Sequence, residues 1–281
     1  MKWFKSALVC GLLVAGGVQS AFAQWRDFSS VSENIKSTDN IITEMRLQWV
    51  GDYRQVKAQL QGTMEILADP PAIKSISPGG SFALEEKNGN QYRKLLVESD
   101  SKGALSYRYE VQAENAVFSS IAQQWFAALF LEIVREAGIN SRQRTQGLVD
   151  RYGENAVFQE IDQIERERSK RFYYERLLEQ ETLSDSTLLK IATRIQHEFA
   201  ADANLRIIIS DMTTRPKLDT ATWQALLKAV AEVNNDATRA NLLIDMAAAL
   251  PADSRVQSAY RTTASGIRTE VEKKRALSAL K

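Results

Sequence analysis

Cysteine and histidine are almost missing from this chain, with one of each in 281 residues. The cysteine, Cys10, sits in a leader: Lys2 and Lys5 make a basic start, Ala7 to Gly17 is apolar, and Ala21-Phe22-Ala23 precedes Gln24. That layout predicts a secretory signal peptide over residues 1–23, cleaved after Ala23, and a periplasmic or secreted product. Val9, not a small residue, precedes Cys10, which argues against a lipoprotein anchor. The exported chain then has no disulfide, thiol nucleophile or thiolate metal ligand.

The lone His197 excludes a zinc site built on two histidines, because His197-Glu198 is followed by Phe199, Ala200 and Ala201. Ser-His-Asp catalysis would have to use it, and on a periodic helix it reads as a surface or groove residue. Gly79-Gly80-Ser81 is not a nucleophile elbow, and no phosphate-cradling glycine loop occurs. The expectation is a protein without catalytic motif, cofactor or metal. A carboxylate pair that hydrolyses glycosides needs neither His nor Cys, so a cell-wall hydrolase or glycosidase stays as the alternative. With 35 acidic residues, the sequence does not single out such a pair.

Net charge is scarce too. The formal +1 becomes −1 once Lys2 and Lys5 leave, so nothing attracts nucleic acid generally. After the leader the longest apolar run, Phe126 to Leu131, falls far short of the ~20 residues of a membrane span. Apolar residues at 44% and charged ones at 25% still suit a globular protein.

What the chain does have is a repeat. Asp185, Asp219 and Asp253 are 34 residues apart, as are Phe199, Val233 and Ile267, then Asp202, Asp236 and Glu270, then Ile209, Leu243 and Leu277. This period is the length of a helix–turn–helix unit and predicts an α-solenoid over residues 141–281. The first aspartate of each unit stands where a helix N-cap belongs; Asp202, Asp236 and Glu270 open the second helix. A row of metal-binding or acid–base carboxylates is the functional reading, but position favours caps. Leu205, Ile208, Ile209 and Met212 form one buried stripe; Arg239 departs from it in the next unit. Tyr173, Tyr174 and Leu178, 34 residues before Ile207, Ile208 and Met212, suggest a degenerate first unit.

Upstream, residues 24–40 read as a polar tether, with helix in part as an option. From Ile41 the period becomes two: Met45, Leu47 and Trp49, then Val56, Ala58 and Leu60, then Leu105, Tyr107, Tyr109 and Val111 alternate with polar residues. Pro70-Pro71, Pro78-Gly79-Gly80 and Asn88-Gly89-Asn90 supply turns. An antiparallel β meander is expected, covered by a helix carrying Ile121, Trp125, Phe126, Leu129, Phe130, Ile133 and Val134 and ended by Gly138, the whole module spanning 41–140. Trp125 and Phe130 read as core before they read as a ligand-stacking pair.

The run Ser75-Ile76-Ser77-Pro78-Gly79-Gly80-Ser81-Phe82 with Leu84-Glu85-Glu86, then Trp125, Ile133 to Ile139 and Arg144, resembles a family of uncharacterised bacterial secreted proteins. It is also similar to extracytoplasmic segments of antirepressor-type, beta-lactam-sensing membrane metallopeptidases. The resemblance covers roughly Ile73 to Leu250 and brings no catalytic residue; the zinc motif of those peptidases is absent. It implies a β-rich module followed by helical repeats in the envelope, in a sensing or regulatory setting.

The densest mix of cations and aromatics is Arg166, Arg168, Lys170, Arg171, Tyr173 and Tyr174, the candidate partner-binding patch. The plainer reading is a solvated face over core aromatics. The expected fold is α+β, meander and covering helix followed by solenoid. The expected role is a non-catalytic periplasmic interaction or scaffold module for a protein partner in the envelope. A small-ligand binder would need an apolar pocket near Tyr107 and Tyr109.

Overall fold

The computed structural model of this chain describes residues 28–200 and 202–280. The expected leader, 1–23, lies outside them. Nine strands come first: β1 (Phe28–Thr38), β2 (Ile41–Gly51), β3 (Arg54–Gln61), β4 (Met64–Ala68), β5 (Pro71–Ile76), β6 (Ser81–Asn88), β7 (Gln91–Ser99), β8 (Leu105–Val111) and β9 (Glu114–Ala116). They form one curled antiparallel sheet in the order β5-β4-β2-β3-β6-β7-β8-β9, with β1 also on β2. A strand has two edges. Because β1 pairs along the whole of β2, the other edge is shared, β3 taking Arg46–Val50 and β4 taking Ile41–Ile42.

The stretch expected as a tether is therefore largely a strand. Among the described strands β1 pairs with β2 alone, so it is an edge strand. Its positions opposite Trp49, Leu47 and Met45 are Val31, Glu33 and Ile35, a short and mixed set that gives no apolar alternation. Main-chain pairing holds it, helped by side chains: Glu33 accepts from Trp49 Nε1 at 2.7 Å, and Lys36 pairs with Glu44 at 2.7 Å. Elsewhere the period-two reading holds in the interior and weakens at the edge. Met45, Leu47, Trp49, Val56, Ala58 and Tyr109 are buried, whereas Tyr107 and Val111 of β8 are exposed.

The cover is α1 (Ser120–Glu136), which buries Trp125, Leu129, Phe130, Ile133 and Val134 in one core with the sheet's Phe82, Leu84, Leu95 and Val97. Phe82 meets Phe130 edge-on at 5.8 Å, and Tyr109 lies 5.6 Å from Trp125. Each large aromatic so buried contributes roughly 2–3 kcal/mol. The helix ends in a Schellman turn: Ile139 N donates to Val134 O and Gly138 N to Arg135 O, with Gly138 at φ +67°. A side chain at Gly138 would meet the Phe172 ring at 2.4 Å, so only glycine lets the next helices approach.

Sheet and cover are also joined by charge. Arg54 of β3 is buried; its Nε donates to Glu86 of β6 at 2.7 Å, and both terminal nitrogens donate to Glu132 of α1 at 2.7 and 2.8 Å. The second oxygen of Glu86 accepts from Trp125 Nε1 at 2.6 Å. Burial works against the charge on Arg54, yet the Glu132 and Glu86 carboxylates outweigh it and hold the guanidinium above its ordinary pKa.

Nine more helices follow: α2 (Ser141–Tyr152), α3 (Glu154–Ile161), α4 (Glu167–Leu178), α5 (Asp185–Glu198), α6 (Asp202–Thr213), α7 (Thr220–Ala231), α8 (Asp236–Ala247), α9 (Ser254–Ser265) and α10 (Glu270–Ala279). Alternate helices pack side by side, α5 on α7 on α9 and α4 on α6 on α8 on α10, over one core from Val157 to Ala276. The architecture is α+β. Asp219 and Asp253 cap as expected, accepting from Thr222 N at 2.7 Å and Arg255 N at 2.8 Å. In the first unit the cap is Ser184, one residue earlier than expected, and Asp185 is the first helical residue. Asp236, at the start of α8, reaches onward to the start of α10, the next helix but one, and accepts from Thr269 N at 2.9 Å and Thr269 Oγ1 at 2.8 Å. Glu167 of α4 does the same for α6 through Ala200 N at 2.8 Å. Arg239, the departure from the stripe, is half-buried and donates to Val233 O and Gly266 O, which follow α7 and α9.

Replacing Arg54 by methionine strands Glu86 and Glu132 without their cation in a largely dry place. Urea unfolding should show a loss of about 3–5 kcal/mol, against about 1 kcal/mol for Asp219→Ala, which removes one cap.

Candidate functional site

The two modules meet around α1's last turn, α2, α3 and the start of α4, and the meeting is ionic. Arg144 of α2 is 2% exposed. It bonds Glu160 of α3 through Nη2, donates through Nη1 to Ala68 O at the end of β4 at 2.7 Å, and through Nε to the Tyr173 hydroxyl oxygen of α4 at 3.2 Å. Glu160 also takes Arg135 of α1 in a two-pronged pair at 2.9 and 2.7 Å. Burial pushes against ionisation of Glu160, but the two guanidiniums win and hold its carboxyl below the usual range.

A second clasp lies alongside. Glu136, 1% exposed, accepts from Glu165 N at 2.8 Å and Arg166 N at 3.1 Å, and so caps the approach to α4. Its own carbonyl accepts from Ser169 Oγ at 2.6 Å and Arg166 Nη1 at 3.2 Å. Arg166 Nη1 also reaches both oxygens of Glu33 on β1, at 2.5 and 2.6 Å. Burial, opposed by the two backbone N–H groups, pushes the Glu136 carboxyl up to about 7.

For the patch at 166–174 these contacts favour the plainer reading, core aromatics beneath charged side chains, over a binding face built on all six residues. Tyr173 and Tyr174 are fully buried, Tyr174 donating to Glu198 at 2.8 Å, and belong to the helical core. Burial pushes the Tyr173 hydroxyl up to about 12. Arg166 is spent on Glu33, and Arg171 pairs with Glu175 at 3.6 Å beside the Phe172 ring. Lys170 is half-buried. Only Arg168 is exposed, and it is the one member of the six that lines an open cleft.

That cleft, about 740 Å³, runs between β1 and the helices. One wall is the unbroken stretch Glu33 to Asp39; the other carries Asn140, Arg142, Gln143, Arg168, Phe172 and Arg176. Arg142 and Arg176 share a single carboxylate, Glu179. Among the described residues Arg168 has only the Phe172 ring as partner, 5.5 Å from its guanidinium carbon. Asn140 precedes α2 in the left-handed conformation, at φ 56°, and gives the helix no side-chain cap. Its amide is buried with neither oxygen nor nitrogen hydrogen-bonded, and Gln143 Oε1 is in the same state. A left-handed residue bordering an uncapped 12-residue helix leaves N–H groups for an outside acceptor. The cleft is equipped to hold anions. The sequence marked Arg168 but missed Asn140, Arg142 and Arg176; an asparagine two residues past the C′ glycine was the available signal.

A shallower groove of about 630 Å³ lies between α7 and α9, with Leu227, Ala231 and Ala259 between Lys228 and Arg255. Arg255 is tied to Asp253 at 2.8 Å. His197 is exposed near the end of α5. Among the described residues no three acidic, histidine or cysteine side chains converge as a metal site, and no helix is long and apolar enough to cross a membrane. Comparison of the chain with protein-family models, with curated proteins and with solved structures finds no match.

Glu136 sets a pH dependence. Its folded pKa lies above the ordinary 4.5, so between pH 4.5 and about 7 the folded chain keeps a proton that the unfolded chain gives up. Stability from this group is therefore present at low pH and lost as pH rises through that window, by about 3 kcal/mol in all. Glu136→Gln should remove that slope, read as unfolding free energy against pH from 5 to 8.

Proposed function

We propose that this chain is a non-catalytic interaction module of the cell envelope, exported by its leader, in which stacked helical repeats and a curled sheet present a docking surface to a protein partner. The observation that carries the reading is the open cationic cleft between β1 and the helices, bordered by an unpaired Asn140 amide and by Arg168. Two features support it. Helix starts at Asp202, Asp236 and Glu270 are 34 residues apart, and carboxylates at the starts of α4 and α8 bond the beginning of the next helix but one, as a solenoid's stacking requires. The buried acids at the junction are committed to guanidinium or backbone N–H partners, which suits scaffolding better than proton transfer. The resemblance to segments of beta-lactam-sensing metallopeptidases makes envelope sensing or regulation the finer version.

One observation favours the hydrolase reading. Glu175 and Asp211 on the adjacent helices α4 and α6 are both raised, chiefly by burial; the charge of Glu179 lifts both further, and that of Asp211 adds to Glu175. Neither lines the cleft.

The test is crosslinking in the host's envelope fraction with the native chain and with Arg168→Glu, whose exposed side chain can change at little cost in stability, within about 0.5 kcal/mol. A partner captured by the first and lost from the second supports the module and places its surface. If neither captures a protein and the native chain cleaves purified cell wall in a manner abolished by Glu175→Gln, the carboxylate pair replaces it.

A further inference from the structure

The cleft touches seven consecutive residues, Glu33 to Thr38 of β1 and Asp39 of the turn that follows. Successive side chains of a strand point to opposite faces, so a cleft that meets all seven borders the strand along its edge. That edge is the one β2 does not use. The six strand residues span roughly 20 Å at ~3.3 Å each, ample for an extended segment. Unpaired among the described strands, this edge is a template for an added one.

The opposite wall states the chemistry of the occupant. Three guanidiniums, Arg142, Arg168 and Arg176, face it against the one carboxylate Glu179. On the strand side Lys36 is paired with Glu44 at 2.7 Å and Glu33 with Arg166, which leaves Asp39 as the other acid lining the cleft. The uncapped start of α2 adds its positive end, and the buried Asn140 amide supplies a donor and an acceptor that no described residue engages. The one aromatic on this wall, Phe172, lies beside the guanidiniums of Arg168 and Arg171, so bases have no free ring to stack on. A row of main-chain groups facing a row of cations suits a polypeptide with acidic side chains.

We propose that an extended acidic segment of a partner polypeptide docks here as an added strand on the free edge of β1, its carboxylates meeting Arg168, the Arg142–Arg176 pair and the start of α2. Main-chain pairing supplies affinity and the cations supply selection for acidic residues at alternate positions. The inference rests on the interaction-module reading and names the partner's chemistry at the same site.

The probe is a labelled hexapeptide of alternating threonine and glutamate, whose strand conformation puts its three carboxylates on one side, followed by fluorescence anisotropy with the full chain. Saturable binding is expected, weakened at least ~10-fold by Arg168→Glu and unchanged by Arg206→Glu, a charge reversal of the same size on α6. The same peptide N-methylated at alternate amides should also lose ~10-fold, because the donors for β1 are gone. Circular dichroism confirms that both variants are folded. No saturable binding, equal loss in both variants, undiminished binding of the N-methylated peptide, or binding of inorganic phosphate with the peptide silent would each overturn the proposal. Envelope capture that depends on Arg168 while the hexapeptide fails sinks the acidic strand and leaves the interaction module standing.

Discussion

Arg144 is the side chain on which most of this structure converges. A guanidinium 2% exposed is tolerable only if every donor is used and a carboxylate stands beside it. Here those partners come from four places: Glu160 on α3, Tyr173 on α4, Ala68 at the end of β4, and Asp69 next to it at 3.9 Å. Glu160 in turn must be shared with Arg135 of the covering helix. Taking one group away leaves the others buried and uncompensated, so the pairing couples sheet, cover and helices more strictly than apolar contact would. Apolar surfaces slide at small cost; a forked guanidinium does not. The edge strand is drawn into the same arrangement by Arg166 and Glu33, and the cleft inherits its shape from that arrangement.

Acidic residues serve a second structural purpose further along. Glu167 and Asp236 open their own helices, where a carboxylate is favoured by the dipole, and then bond the N-terminal region of a helix one unit on. Glu154 does likewise for α5, accepting from Ser184 Oγ at 2.8 Å and from Thr187 Oγ1. One side chain thus satisfies orphan donors in a neighbour while fixing how that neighbour packs.

How much of this could be read in advance follows from the range of the forces involved. Helix starts were legible because capping is local: Asp219 and Asp253 stand within three residues of the groups they bind. The covering helix was legible from its glycine and from its stripe, apart from Ile121, which is exposed at the helix start. The strand β1 was not, because its inward positions include a charged residue, Glu33, whose partners Trp49 and Arg166 lie 16 and 133 residues away. In the patch at 166–174 the plainer reading, core aromatics beneath charged side chains, describes the tyrosines. Adjacent tyrosines in a helix normally diverge, but α4 is packed by α2, α3 and α6, so Tyr173 and Tyr174 are both internal. The residues Glu86, Trp125, Arg135 and Arg144, singled out by resemblance, prove to be members of the two buried ionic clusters.

The central claim is that these clusters make sheet and helices unfold as one body. Trp49 and Trp125 lie in the sheet module and Trp223 in the helices, so variants that keep tryptophan in only one module report each separately. Thermal unfolding of the native junction should give coincident midpoints from the two reporters, and Arg144→Met combined with Glu160→Gln should leave a folded protein whose midpoints separate. Two transitions in the native junction, or a single one that persists after both charges are removed, would contradict the account.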